Sequence, residues 1–522
     1  MGAPKEMKSV FLLALCLITL AAFFVSLQNA EKNKAYWWDE VEYVSLADNM
    51  HDKGTYAFAY SDEIQSFRPP LLSVYISTFY YLLGNNELSV RIFVSVFSAL
   101  SVAIAFLLGK KLFDEIAGIV ASLLVFHSTL FIFYSARVLT EVPAIFFAAF
   151  SAYFLWEAFG EKKAYALPFF AISFSLGFLM KYTFAFFALP FGLLALVAIL
   201  FKNRLPILLS KHLVFSAVAV LALVSPILIF SQNTFGSSVK IFSEQVGAVQ
   251  NADNPNFYFE NLGHILTSDS IVILIILGFL LAVLLFLMKD KSAFPALFLS
   301  VSVISFFLLL NYFIPHKEDR YLLPILVLAL SIPAFFFSTL FRHSLSLATE
   351  LWKSKGKIGE TKAVGLAFSV FFLLFSIQGI YAGAFGNQES AKSLLDSKAN
   401  TYAELKDAGE YINKMAGSGG YVMSDYILIA FYSKKFHTGL PSDAAGLVSE
   451  VEKKNVHFIA TSIYGSGNTY ISALQKASAG NLTSASNSIE YLLLNPDKYV
   501  LKKAVNGPEG FPYVMVFETN SS

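Results

Sequence analysis

Apolar residues fill this chain in long, nearly unbroken stretches, unlike the one-face or alternating patterns of elements that border water. A helix needs ~20 mostly apolar residues to cross a bilayer. The stretches 9–27, 89–109, 116–134, 141–159, 164–180, 182–201, 212–231, 268–288, 293–314, 321–341 and 363–384 approach or meet that length, which predicts about eleven transmembrane helices. Lys181 separates 164–180 from 182–201, and the pair can also be read as one longer helical region that this lysine interrupts. Segment 69–83 is apolar but short, and Arg68 and Gly84 flank it. It is expected to lie flat at the membrane surface as an amphipathic helix. The apolar core of 9–27 exceeds the ~7–15 residues of a signal peptide, and no small-residue cleavage pattern follows, so it is expected to stay as an anchor. After residue 385 the pattern turns polar and mixed. Helices are expected over 389–415 and 442–454, and short β-like runs at Tyr421–Ser424, Val456–Thr461 and Tyr513–Glu518. The chain therefore divides into a membrane domain, 1–385, and a small α/β domain, 386–522. Gly417–Gly420 reads as a loop, because the G-x-G-x-x-G spacing is absent.

Composition supports the membrane reading. Charged residues are 14% of the chain and apolar ones 56%, against ~25% charged in ordinary globular proteins. A net charge of +1 leaves no basic excess for nucleic acid. The single cysteine, Cys16, excludes a disulfide framework within the chain and a cysteine metal cluster. Lysine and arginine set the orientation. With a cytoplasmic N-terminus, the connections on that side carry Lys5 and Lys8; Lys110 and Lys111; Lys162 and Lys163; Lys202, Arg204 and Lys211; Lys289 and Lys291; and Arg342, Lys353, Lys355, Lys357 and Lys362. The external face of the cell membrane then holds two long loops (28–88 and 232–267), turns near 135–140 and 315–320, and the C-terminal domain.

Polar groups at a membrane boundary are costly and point to function. Here they gather on the external side in four clusters. Tyr36-Trp37-Trp38-Asp39-Glu40-Val41-Glu42-Tyr43 follows the first span, with Asp39 and Glu40 opening an amphipathic helix. Acids there can serve as helix-dipole partners or as catalytic acids and bases. In Phe67-Arg68-Pro69-Pro70-Leu71, two prolines lead into 69–83, and Arg68 offers a fork for a phosphate or a snorkelling cation. In Arg137-Val138-Leu139-Thr140-Glu141-Val142-Pro143, Glu141 stands at the boundary, and an i,i+4 pair with Arg137 is the structural alternative. His316-Lys317-Glu318-Asp319-Arg320-Tyr321 packs five titratable groups between two span ends, bracketed by Pro315 and Pro324. Lys181 adds a further cation. A carboxylate can deprotonate an acceptor hydroxyl, and fixed cations can stabilise a departing phosphate. The set suits transfer of a sugar from a lipid-linked phosphate to a hydroxyl, in one displacement with inversion.

At these residues the chain resembles the GT-C glycosyltransferases of the dolichyl-phosphate-mannose protein mannosyltransferase and aminoarabinose transferase type. Asp39-Glu40 is similar to the Asp-Glu pair of the first outer loop. Arg68-Pro69-Pro70-Leu71 is similar to the basic-Pro-Pro motif that follows it. Asn86-Glu87 through Arg91 resembles the start of the next span, and Leu139-Thr140-Glu141-Val142-Pro143 the second acidic site. His316-Lys317-Glu318-Asp319-Arg320-Tyr321 resembles the H-K-E-x-R-[FY] motif of dolichyl-phosphate-mannose-dependent enzymes. The resemblance is strongest over 36–180 and near 316–324. It implies a GT-C fold, a polyprenyl- or dolichyl-phosphate sugar donor with a mannose-like sugar, and Asp39 as general base.

In that reading Glu40 and Glu141 orient the acceptor or tune Asp39. Arg68, Lys181, Lys317 and Arg320 hold the donor phosphate, with His316, Glu318 and Tyr321 beside it. No cofactor or metal is expected, since several cations already face the monophosphate. The acceptor stays open among glycan, lipid and protein: the Asp-Glu and H-K-E-D-R-Y patterns belong most typically to different branches, and residues 386–522 do not resemble the β-trefoil of eukaryotic protein O-mannosyltransferases. The alternatives are a lipid or glycan transporter or flippase, which would place charge at the bilayer midplane in repeated halves, a non-catalytic scaffold, and an oligosaccharyltransferase. Trp37-Trp38-Asp39 lacks the Tyr-Gly of the oligosaccharyltransferase W-W-D-Y-G motif and stands in a different part of the chain. Asn481-Leu-Thr and Asn520-Ser-Ser are short sequon-like patterns.

Overall fold

The computed structural model describes residues 5–60, 68–202, 204–242, 254–353, 359–386, 388–417 and 419–520. Phe67, Lys355, Lys357, part of the 232–267 loop, Ser418 and the last two residues of the second sequon lie outside them. The chain forms two compact units: Met1–Glu31, Phe67–Leu72 and Glu87–Leu395 in the first, Lys32–Ser66, Ser73–Asn86 and Asp396–Ser522 in the second.

The first unit is helical throughout. Among the described residues, nine helices are long and apolar enough to cross a membrane, or ten if one bent pair counts as a span. The chain is an integral membrane protein. Each of the eleven apolar stretches becomes helix, and two of them depart from a simple span. The stretch 116–134 divides into Glu115–Phe126 and Thr129–Ser135, bent by 64°. Asp114 caps the first piece by accepting from the Ala117 amide, and His127-Ser128 breaks the hydrogen-bond ladder. The stretch 164–180 yields Ala166–Met180, only 15 residues, too short to span unaided. Lys181 ends it in an extended conformation (φ −153°, ψ 117°) and a 3₁₀ turn, Tyr182–Phe187, leads into Ala188–Lys202. The lysine interrupts the helical region, as its position suggested. A close fit fixes this break. A Cβ on Gly177 would lie 2.4 Å from the Phe184 ring, which is fully buried against it.

The next helices are Lys211–Phe235, Asp269–Leu287, Ala293–Phe313, Leu326–Lys353 and Glu360–Phe385. Another 3₁₀ stretch, Asp319–Ile325, precedes Leu326 and contains Pro324, which cannot supply the amide an α-helix would need there. The segment 326–336 is the buried centre of this unit. At the far end of Glu141–Leu155 a π-helical turn, Trp156–Gly160, places Glu157 against Lys111 and Lys163 at 2.8 and 2.9 Å.

The second unit is built on a five-stranded sheet: β1 (Tyr421–Ser424), β2 (Phe436–Gly439), β3 (Phe458–Ser462), β4 (Tyr499–Asn506) and β5 (Pro512–Thr519), in the order β2-β1-β3-β5-β4. β1 is parallel to β2 and β3, and β5 is antiparallel to β3 and β4. Its core joins Met423, Leu447, Ile459, Tyr470, Leu492 and Phe517. The expected strands at 421–424, 456–461 and 513–518 are present. β2 and β4 carried too weak a pattern: β2 has four residues, and β4 is an edge strand whose Lys502 and Lys503 break the alternation. The expected helix 389–415 is two helices, Gln388–Lys398 and Ala403–Ala416, because Tyr402 adopts positive φ between them.

Parts of the first loop belong to this unit. The Tyr36 amide donates to the Tyr432 hydroxyl at 2.7 Å, and the His437 amide to the Tyr60 carbonyl at 2.8 Å. The contact boundary thus falls at 395/396 and includes loop segments, in place of the expected 385/386. Helix Trp38–Lys53 ends at Gly54, whose φ of 66° suits a left-handed cap. Segment 69–83 is helical over Leu71–Leu83.

Candidate active site

In the first unit, three separate stretches of chain, at 141, 181 and 316–321, deliver charge to one place. Glu141 is the first residue of helix Glu141–Leu155 and is 2% exposed. Lys181, freed from helical geometry by the break after Met180, donates to Glu141 Oε1 at 2.8 Å. Arg320 Nε lies 4.0 Å from the same oxygen. Glu141 Oε2 is buried and takes no hydrogen bond among the described residues. Lys181 also faces the Tyr321 ring at 5.0 Å, which orients the ammonium between an anion and a π face.

Glu318 is the hub of the 316–321 stretch. His316 Nε2 lies 2.8 Å from its Oε1, the Tyr321 hydroxyl donates to the same oxygen at 3.3 Å, and Arg320 engages both oxygens, with Nη2 3.2 Å from Oε1. Burial pushes the Glu318 carboxyl up, but Arg320 and His316 outweigh it and hold the group below the ordinary carboxylate range. It stays ionised and fixes the arginine fork. Asp319 accepts from the Tyr134 hydroxyl at 3.0 Å, and His264 lies 3.9 Å from its other oxygen. The Tyr182 hydroxyl donates to the Arg68 carbonyl at 3.5 Å, so the proline turn is tied next to Lys181 in sequence.

Lys317 departs from expectation. Its ammonium donates to the carbonyls of Asn311 and Ile314, at 2.6 and 3.1 Å, and packs over Tyr258 at 5.5 Å. It is the cation at the C-terminus of Ala293–Phe313, where orphan carbonyls and the helix dipole favour one. The alternative Arg137–Glu141 helix pair also fails, since Arg137 precedes the helix in a bend and Glu141 takes Lys181 instead.

Asp39 and Glu40 lie in the second unit. Glu40 Oε2 accepts from the Trp37 amide at 2.6 Å and is 2% exposed, which makes it the reach-back cap of helix Trp38–Lys53. The role expected of it was to orient the acceptor or tune Asp39; the contact the structure shows is this cap. Asp39, the neighbouring acid, is half-buried; burial chiefly pushes the Tyr426 phenol up, then Tyr402 and Tyr464, with the charge of Asp39 adding least.

The structure brings Glu141, Lys181, His316, Glu318, Arg320 and Tyr321, all expected at the site, into one neighbourhood. Sequence reasoning missed Tyr134 and His264, which carry no motif signal: the tyrosine sits in an apolar run and the histidine in a long loop. An apolar cavity of about 420 Å³ also went unforeseen. It is lined by Phe159, Phe170, Phe174, Phe191, Leu213 and Val220 among others. Among the described residues, no group of three His, Cys, Asp or Glu side chains is placed to hold a metal.

Residues 67–230 match the sequence model of the family described as dolichyl-phosphate-mannose-protein mannosyltransferase. An uncharacterized protein of Aquifex aeolicus (strain VF5) is 29% identical over 188 residues, which is 36% of this chain and only 37% of that relative's length. Among solved structures, ArnT from Cupriavidus metallidurans bound to undecaprenyl phosphate superposes with a TM-score of 0.64 at 14% identity, covering 100% of this chain and 99% of that one. The archaeal oligosaccharyltransferase AglB from Archaeoglobus fulgidus, in complex with an inhibitory peptide and a dolichol-phosphate, gives a TM-score of 0.56 at 13% identity over 90% of this chain and 71% of that one. The resemblance drawn from the motifs holds at the level of fold, which this chain shares with ArnT over its whole length.

Proposed function

We propose that this GT-C chain is a membrane glycosyltransferase that moves a sugar from a polyprenyl-phosphate donor to an acceptor hydroxyl. The observation that carries the reading is the Glu141–Lys181–Arg320 knot, two cations against one buried carboxylate that keeps an oxygen in reserve. Arg320 and Lys181, with Arg68 from the adjoining turn, bind the donor phosphate. As the sugar–oxygen bond breaks, the phosphate gains charge, and preorganised cations stabilise it more than the ground state. Glu141 Oε2 accepts from a substrate hydroxyl. Glu318 and Tyr321 hold Arg320 and Lys181 in position. Asp39 is the general base: it removes the acceptor proton as the oxygen attacks, so the reaction inverts the sugar in one step.

Helix Ala166–Met180 ends at Lys181 and also contributes Phe170, Ala171 and Phe174 to the apolar cavity. That arrangement suits a phosphate at the helix end and an isoprenoid tail along its face. ArnT bound to undecaprenyl phosphate and AglB with dolichol-phosphate support the same class of carrier. The resemblance favours a mannose-like sugar. Basic loops put the N-terminus in the cytoplasm and the site outside.

The test is a panel of radiolabelled polyprenyl-phosphate sugars presented to membranes holding the protein. Label should leave at least one donor and appear on an acceptor, and Arg320→Gln should slow that release by about a hundredfold or more. Label that crosses the membrane still attached to its carrier would replace this reading with transport.

A further inference from the structure

The second unit carries a second site. We propose that an aromatic platform at the carboxyl ends of its two central parallel strands binds a neutral saccharide, the acceptor of the proposed reaction. The proposal rests on that reaction only for the word acceptor.

Four rings form the platform. Tyr426 stands edge-on to Trp38 at 5.2 Å, and Tyr402 lies 5.4 Å from Tyr426 and 5.1 Å from Tyr464. The Tyr464 hydroxyl donates to Glu404 at 2.9 Å, and Trp38 Nε1 to Glu42 at 3.0 Å. None of the four is a core residue: Trp38 is 39% exposed and the tyrosines are half-buried.

The position follows from topology. β1 is flanked by β2 on one side and β3 on the other, so the chain reverses its direction of winding at the β1/β3 boundary. In sheets with parallel strands, ligands bind beyond the carboxyl ends at such a point. Tyr426 lies two residues past the end of β1 and Tyr464 two past the end of β3. A half-buried aspartate locks the two strand ends together. Asp425 accepts from the Ser462 amide at 2.8 Å, the Ser462 hydroxyl at 2.9 Å and the Ser466 hydroxyl at 2.6 Å. Gly465 lets the second loop close on the first, since a Cβ there would lie 2.3 Å from the Asp425 carbonyl. Tyr402 completes the set at a φ of 67°, a conformation that a bulky side chain rarely adopts. Such strain persists where the surroundings hold it, and it clusters at ligand sites.

The chemistry selects the ligand class. Partly exposed aromatic rings suit the C–H face of a sugar ring, and carboxylates at their rim suit its hydroxyls. The acidic neighbours Glu42, Glu404 and Asp39 disfavour a phosphorylated or otherwise anionic ligand. A purely apolar ligand would leave those carboxylates desolvated.

The full chain in nanodiscs tests this by saturation-transfer NMR, with α-1,2-mannobiose, cellobiose and chitobiose as probes. At least one disaccharide should bind the wild type. The double variant Trp38→Ala/Tyr464→Ala should weaken it by roughly tenfold or more. Trp38→Phe/Tyr464→Phe, which keeps the rings, should retain most of the affinity and shows that the loss is one of stacking. If none of the three binds the wild type, or if the alanine variant binds as well, the platform is not a saccharide site. Undecaprenyl phosphate titrated into the same samples reads the donor site separately, so failure of the transferase reading and failure of the platform are distinguishable.

Discussion

Glu141 and Lys181 form a pair whose side chains are 3% and 9% exposed. Removing one member of a buried pair strands the other charge, at a cost of about 3–5 kcal/mol. Glu141→Ala should therefore lower thermal stability markedly. The double change Glu141→Leu/Lys181→Met should recover most of that stability while sugar transfer stays lost. Recovery of transfer in the double variant would mean that the pair is structural only. Asp48 gives a pH signature in the second unit. Burial raises its carboxyl to about 6, with Asp52 adding to it and bonds from Asn85 and Tyr80 opposing. The folded form holds its proton more tightly than the unfolded one, so stability is greatest below pH 4 as far as this group is concerned. It falls as pH rises towards 6 and is level above. Asp48→Asn should stabilise the protein at neutral pH by roughly 1–3 kcal/mol and remove that slope. Unfolding followed from pH 4 to 7 would show it, and an unchanged slope would refute it.

At the scale of elements, the break after Met180 is what makes Lys181 available. An uninterrupted helix would turn that lysine along its own axis, whereas the extended residue and the 3₁₀ turn aim it at Glu141. Gly177 and Phe184 hold the break closed, so Gly177→Ala should force the ring away at about 1–3 kcal/mol and should reduce donor turnover with it. Normal turnover in a stable Gly177→Ala protein would show that the break does not position the lysine. The same region marks the limit of the sequence. The apolar stretches marked the long helices of the first unit, because bilayer length is a demand that composition alone expresses. Breaks were visible only where a charge marked them, as at Lys181, and not at His127-Ser128, where two small departures from apolarity cut a span. The sheet shows the parallel case. β1, β3 and β5 are buried and patterned, whereas β4 is an edge strand with lysines. Individual roles were less legible than positions. Lys317 and Glu40 belong to motifs, yet each is committed to a helix terminus, a use that depends on where the helix ends.

For the whole molecule, the motifs near 39, 68, 141 and 316–321 are far apart in sequence, and the fold unites those of the membrane unit around Glu141. Because the cations that would meet the donor phosphate are side chains, transfer should continue at its full rate in excess chelator. A loss that added magnesium restores would require a metal in the mechanism. The central claim is that Asp39 deprotonates the acceptor, and the most direct measurement is the rate of sugar transfer by wild type and Asp39→Asn, with undecaprenyl phosphate binding measured on the same membranes. We expect transfer to fall by at least about a hundredfold while carrier binding is unchanged. Transfer at the wild-type rate with Asn at position 39 would contradict the account.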